Sequence, residues 1–104
     1  MIGRMWHGWT TAENAEAYEE LLRREILPGI VAEHEGCLGA WLLRRVEDER
    51  RGEVEFVTLT LFEDMDAVRA FSHDGARGAV VPAAARRLLE RFDDASSHYE
   101  VVEG

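Results

Sequence analysis

Four histidines, a strand-like run that alternates threonine with phenylalanine, and an arginine set among tryptophans are the residues here whose chemistry is worth following. His7 lies between Trp6 and Trp9 in Arg4-Met5-Trp6-His7-Gly8-Trp9. There an imidazole, the side chain that changes charge near neutral pH, is suited to take a proton from a phenol. A hydrogen-bonded core or interface histidine fits the same position. His98 belongs to the last patterned segment and reaches the same pocket if that segment runs near the first strand; a strand-end histidine near solvent is the plainer reading. His7 and His98 are therefore the candidate catalytic residues. Thr58 and Thr60 alternate with Phe56 and Phe62, which offers hydroxyl anchors on an aromatic wall, although threonine is also simply a good strand residue. Trp9 and Phe62 add ring surface. His73, next to Asp74 and ahead of Gly75-Ala76-Arg77-Gly78, reads either as part of a lid over a pocket or as a cation closing a helix end. Trp9, Thr58, Thr60, Phe62 and His73 are the candidate substrate-binding residues.

Other chemistries find less support. His34 sits among Glu33 and Glu35 as a surface residue, and no histidine pair has the i, i+4 spacing with a carboxylate that a metal site needs, so no metal is expected. The Gly75–Gly78 segment lacks the Lys and Ser/Thr of a phosphate loop. Cys37 is the single cysteine, which rules out an intrachain disulfide and fits a small buried strand residue in a reducing compartment. Arg4 shares a strand face with Trp6. Buried by a dimer, it requires an acidic or carbonyl partner such as Glu55 or Glu100, or else binds a ligand anion.

The elements that must position these groups follow from spacing. Met, Ile and Trp dominate residues 1 to 10 as a strand, and Thr10 with Glu13 makes a capping-box pattern for a helix. Ala15, Tyr18, Leu21, Leu22 and Ile26 then recur at helical spacing, until Pro28 stops or kinks the helix near Leu27, with its end by Gly36. Residues 37 to 46 and 53 to 62 are apolar, branched or aromatic runs joined by a charged loop ending in Gly52, a hairpin. Asp64 caps a second helix with Met65, Val68 and Phe71 on one face. Pro82 opens a short helix through Leu88 and Leu89, and Ser97 to Val102 is the last strand. The order is β-α-β-β-α-β, a ferredoxin-like antiparallel sheet of class α+β, filling residues 1–104 as a single domain.

Composition narrows the partners. The chain has 104 residues, 12 basic against 21 acidic, for a formal charge of -9. Such a field repels phosphate backbones and anionic lipid surfaces, so neither nucleic acid nor membrane is an expected partner. No basic region followed by an apolar run opens the sequence, and no stretch approaches the ~20 apolar residues of a membrane span, which reads as cytoplasmic. All twelve basic residues are arginine; codon bias explains that without function. The strongest expectation about assembly comes from the strands. Ile2 and Trp6 share one face of the first while Met5 and Trp9 share the other; Val57, Leu59 and Leu61 oppose Phe56 and Phe62 on the third. Both faces are apolar and the helices suffice for one, so a second copy of the sheet is expected to cover the other as a homodimer.

Arg4-Met5-Trp6-His7-Gly8, the run from Phe56 to Phe62 leading into Asp64-Met65-Asp66-Ala67-Val68-Arg69-Ala70-Phe71, and the closing His98-Tyr99-Glu100-Val101 resemble the antibiotic biosynthesis monooxygenase (ABM) family of dimeric α+β barrels over nearly the whole chain. The resemblance implies a pocket in each subunit between sheet and helices that takes a small apolar or aromatic molecule. In the monooxygenase members it implies oxidation of an aromatic polyketide, phenol or quinol by O₂ with no cofactor: the substrate is deprotonated and itself reduces oxygen. The protein then supplies a base, a polar anchor and a dry aromatic cavity. The superfamily also holds cyclases, isomerases and members without known activity, so a non-catalytic small-molecule-binding or stress-associated dimer is the alternative from another class. Its haem-degrading branch relies on an Asn in the first strand, a Trp closing the third and a His after the second helix. The corresponding positions here are His7, Phe62 and the histidine-free stretch around Val80 and Val81, which counts against haem degradation.

Overall fold

The computed structural model describes residues 1–47, 52–72 and 80–104. Strand β1 runs Ile2–Thr11 and passes directly into helix α1, Ala12–Leu21; a π-helical turn, Leu22–Ile26, carries the helix on into α2, Leu27–Glu33. The hairpin strands are β2, Cys37–Arg44, and β3, Glu53–Phe62. Helices α3, Met65–Phe71, and α4, Ala83–Arg86, precede strands β4, Leu89–Phe92, and β5, Ser97–Glu100. Every strand pairing is antiparallel, in the order β2-β3-β1-β4, with β5 further along the same edge of β1 as β4. This is the ferredoxin-like arrangement that the element order predicts.

Three local expectations are corrected. Thr10 does not cap the first helix. Thr11 does, its Oγ1 accepting from the Asn14 N–H at 3.1 Å. Thr10 instead continues the strand, pairs with Val54 and is fully buried, because the ladder with β3 extends one residue further than the capping pattern suggests. Pro28 does not stop the helix at Leu27, although the helix does end before Gly36 as expected. The proline lacks the N–H for the regular ladder, and the wider π turn just before it, closed by the Leu27 N–H on Leu22 O, absorbs the missing bond so that the helix continues to Glu33. Finally, the helix opened by Pro82 ends at Arg86, and Leu89 starts a strand: the free edge of β1 offers ladder bonds that a four-residue helix cannot match.

β4 is thus a strand the spacing did not predict, and the expected last strand, Ser97 to Val102, is the shorter β5. β4 pairs with Gly8, Trp9 and Thr10, and β5 pairs with Ile2 to Met5. Between them the chain is tied back to β1. The Asp93 N–H donates to His7 O at 3.0 Å, and Trp6 Nε1 donates to Asp93 O at 2.8 Å. At the other end of the domain Gly36 lets β2 begin against α3, since a Cβ there would collide with the Ala67 methyl.

Alternation along the strands separates two faces. Arg4, Trp6, Phe56, Thr58, Thr60 and Phe62 point to the helices; Met5, His7, Trp9, Glu55, Val57, Leu59 and Leu61 point away from them. Under the helices the core forms two clusters, one of Ala15, Tyr18, Leu22, Leu27, Phe56 and Ala85, the other of Cys37, Phe62, Val68 and Phe71. Trp41, Leu43 and Tyr99 stand exposed on the strands, in register with Leu59, Val57 and Gly3 on the face the helices leave open. Among the described residues no helix is long and apolar enough to cross a membrane.

Candidate functional site

Where the two core clusters meet, side chains from both leave a narrow cleft between sheet and helices with about 50 Å³ of free space. Its floor is the sheet: Arg4 and Trp6 of β1 with Thr58 and Thr60 of β3, which the register places as direct partners, Arg4 opposite Thr60 and Trp6 opposite Thr58. Its roof is helical, with Tyr18 of α1, Leu22 and Ile26 of the π turn, Ile30 of α2 and Ala85 of α4. Phe71 at the end of α3, the segment Val80–Pro82 and Ser96 close the sides. The walls are mostly hydrocarbon and aromatic, with the polar groups gathered on the sheet side. That distribution belongs to a pocket for a largely apolar molecule oriented by a few fixed polar contacts.

Arg4 is 3 % exposed. Its Nη1 donates to His98 Nε2 at 2.8 Å, and its guanidinium carbon lies 5.4 Å from the centre of the Phe71 ring. The contact follows from the topology, because β5 pairs with β1 and sets His98 directly across from Arg4. Burial lowers the Arg4 pKa from its ordinary value. Tyr18, 1 % exposed, has its phenol pushed up to about 12 by burial, against a hydrogen bond with the Thr58 hydroxyl that draws it down. It is therefore a neutral hydroxyl at any physiological pH. Thr60 Oγ1 lies 3.5 Å from Arg4 O.

The candidates read from sequence divide between the two faces. Thr58 and Thr60 line the cleft, and His98 meets it through Arg4. Phe62 is fully buried in the second core cluster beside Phe71, with ring centres 5.5 Å apart, behind the cleft rather than on its wall. His73 lies outside the described residues. The structure does not bring His7 and Trp9 to the cleft: both point to the open face of the sheet. There His7 Nδ1 is 2.8 Å from Glu55 Oε2, and Arg45 Nη1 donates to Glu55 Oε1 at 3.0 Å. His7 stacks loosely on Trp9, and Arg91 covers the other ring of this group at 3.9 Å from the Trp9 centroid while pairing with Glu53. Burial alone would raise the Glu55 pKa, but hydrogen bonds from His7 and Arg45 and their charges bring it below the ordinary glutamate range.

The expectation that Arg4 pairs with Glu55 is corrected in the same way: Glu55 lies on the opposite face, and His98 accepts from Arg4. Sequence reasoning offered Arg4 to the site only as an alternative to a structural ion pair, and left Tyr18 out of it. Arg4 carried a signal, since a charge on the same strand face as Trp6 has to be justified, whereas nothing in the helical spacing distinguishes Tyr18 from its core neighbours. Cys37 is buried with its thiol pKa raised by that burial, as a structural cysteine, its Sγ 3.5 Å from Gly39 O. Among the described residues no group of three or more His, Cys, Asp or Glu is placed to hold a metal ion.

No curated protein matches the chain. The family model described as antibiotic biosynthesis monooxygenase matches residues 1–83, a span that contains the whole of β1, the hairpin and α3 and hence most of the cleft. With a ferredoxin-like sheet, helices on one face and a cleft between them, the chain belongs to the antibiotic biosynthesis monooxygenase family.

Proposed function

We propose that the chain is a monooxygenase acting without metal or flavin on an aromatic polyketide, phenol or quinol bound in the cleft between sheet and helices. The observation that carries the reading is the segregation of that cleft: aromatic and aliphatic walls, with hydroxyls and a guanidinium confined to the sheet side. A planar ring entering beside Trp6 and Phe71 would turn its oxygen to Arg4, Thr58 or Thr60 on the sheet side. Once ionised, such a ring is electron-rich enough to pass an electron to O₂. Recombination at a ring carbon and loss of water convert a C–H position to C=O, so that phenol plus O₂ gives quinone plus water. One oxygen atom enters the product, and the substrate supplies all the reducing electrons. The protein contributes orientation, exclusion of water and stabilisation of the anion. His98 acts through Arg4, which it holds.

The test is oxygen consumption with a panel of anthrones, naphthols and quinols, in the presence of a chelator and without added flavin. Uptake of one O₂ per quinone formed is expected. Saturable binding without any uptake, aerobic or otherwise, would turn the reading to a non-catalytic binding protein, and turnover under nitrogen would turn it to a cyclase or isomerase.

We further propose that the working unit is a homodimer joined through the open sheet face. Trp41 and Leu43 are 48 % and 45 % exposed there, beside half-buried Met5, Val57, Leu59 and Leu61, a contiguous apolar surface of the kind that soluble chains cover.

A further inference from the structure

Gly8 is buried in the middle of β1, where a glycine weakens a strand and marks a place at which another group comes close to the backbone. That group is a wall of the cleft. A Cβ at position 8 would lie 3.1 Å from Trp6 Cζ3, 3.2 Å from Trp6 Cη2 and 2.9 Å from Leu89 Cδ2. Residues 6 and 8 share the strand face that the helices cover, and the outer edge of the Trp6 indole lies down over the bare Cα of Gly8. The rest of the ring is held as well. Its Nε1 donates to Asp93 O at 2.8 Å, and Phe92, the ladder partner of Gly8, packs on it with ring centres 5.6 Å apart. Trp6 is therefore a fixed end of the cleft. The free space is only about 50 Å³, so a methyl group at position 8 that lifts the indole off the sheet would consume it. The opposite wall is different: Ile26, Ile30, Phe71, Val80 and Pro82 stand between the cleft and an adjoining opening of about 300 Å³.

Resting on the reading of the cleft as the binding site, we infer that Gly8 determines which ligands the cleft admits, as a positioning residue that acts through Trp6. The bare backbone at Gly8 sets how far the indole lies back and hence how deep the cleft is. A ligand too large for the free space gains room at the wall shared with the adjoining opening, because the Trp6 end is held from three sides. Discrimination is then by size and direction: bulk pointing at Trp6 is rejected, and bulk pointing toward α2 and the Val80–Pro82 segment is accepted. The same kind of contact recurs on the other face of the sheet, where a Cβ at Gly39 would lie 2.8 Å from Trp41 Cη2. Trp41 stands on the open face and takes no part in the cleft, which makes Gly39 the matched control.

The experiment measures binding of 2-naphthol and of the larger 1-hydroxypyrene, both fluorescent, to the full chain. Its readout is the ratio of the two affinities, which a general loss of stability does not move. Gly8→Ala is expected to weaken both, the larger probe at least about tenfold more than the smaller. Trp6→Phe removes the indole atoms that a Cβ at position 8 would meet. Alone it is expected to move the ratio about tenfold toward the larger probe, and in its background Gly8→Ala should change the ratio by less than about threefold. Gly39→Ala is expected to leave the ratio as it is. Where Gly8→Ala fails to fold by circular dichroism, Trp6→Phe alone decides. An unchanged ratio in folded Gly8→Ala, a shift that persists in the Trp6→Phe background, an equal shift in Gly39→Ala, or no shift in Trp6→Phe overturns the inference. The expected ratios without any O₂ uptake across the panel would sink the oxygenase reading and leave Gly8 in its role. A wild-type chain that binds neither probe would remove the cleft as the binding site, and the role of Gly8 with it.

Discussion

His7 and Arg4 are three residues apart and do opposite work. His7, on the open face, is tied to Glu55, and this pair with Arg45 makes a charged group at one end of an apolar surface. From that placement its effect is expected on stability rather than on turnover. His7→Ala should leave the O₂ uptake rate within about twofold, and a loss of about 10² to 10⁴ in a folded variant would restore His7 as a general base. The Glu55 carboxylate supplies the accompanying pH dependence. Its folded-state pKa lies below the ordinary value of 4.5, so its stabilisation is fully present above that value and is lost as the pH falls through the lower, folded value. The melting temperature should therefore fall on acidification below about pH 4.5, and Glu55→Gln should flatten that limb of the curve. Parallel acid limbs for the two proteins would remove Glu55 from the account.

Thr10 and Thr11 test how the first strand hands over to the first helix. Thr11 Oγ1 satisfies the Asn14 N–H, one of the donors a helix start leaves open, while Thr10 Oγ1 is buried without a hydrogen-bond partner among the described residues. Thr11→Ala should cost about 1 kcal/mol, the usual loss for a removed N-cap. Thr10→Val replaces a dry hydroxyl with a methyl of the same shape and should be neutral or stabilising by up to about 1 kcal/mol. Urea denaturation separates the two, and the reverse order would place the cap at Thr10 after all. The same helix shows why a proline need not end an element. The π turn Leu22–Ile26 lies directly before Pro28, and it also brings Leu22 and Ile26 onto the wall of the cleft. A helix stopped at Leu27 would have withheld Ile30 from that wall.

Two identical sheets packed through their open faces would bury Met5, Leu59, Leu61 and Trp41 and bring the His7–Glu55–Arg45 groups into or beside the interface. Light scattering on the wild-type chain should then give twice 11.8 kDa at micromolar concentration. Leu59→Glu is the informative variant because Leu59 faces away from the helices and makes no part of either core cluster. It should stay folded, with its carboxylate in water, and run at 11.8 kDa, since an unpaired charge is not tolerated in a dry interface. A Leu59→Glu protein that stays dimeric would show that the interface lies elsewhere, and one that unfolds would show that the face is more than an association surface.

The first three strands, the hairpin and the second helix were legible because their signals are local: alternation over Phe56 to Phe62, a charged loop ending in Gly52, and Asp64, whose side chain accepts from the Ala67 N–H as a cap should, ahead of Met65, Val68 and Phe71. The apolar character of both strand faces was equally plain. Alternation sorts side chains into two sets, however, and does not say which set the helices cover; shifting that choice by one residue exchanges Trp6 for His7 in the cleft. The helices settled it by packing Tyr18 and Leu22 over Phe56, on the side that Arg4 and Trp6 share. The polar centre of the cleft was beyond the reach of any local pattern, since Arg4 and His98 are 94 positions apart and meet only because β5 returns along the edge of β1. Period and composition act between near neighbours, and a site assembled from opposite ends of the chain depends on the tertiary fold that closes the distance.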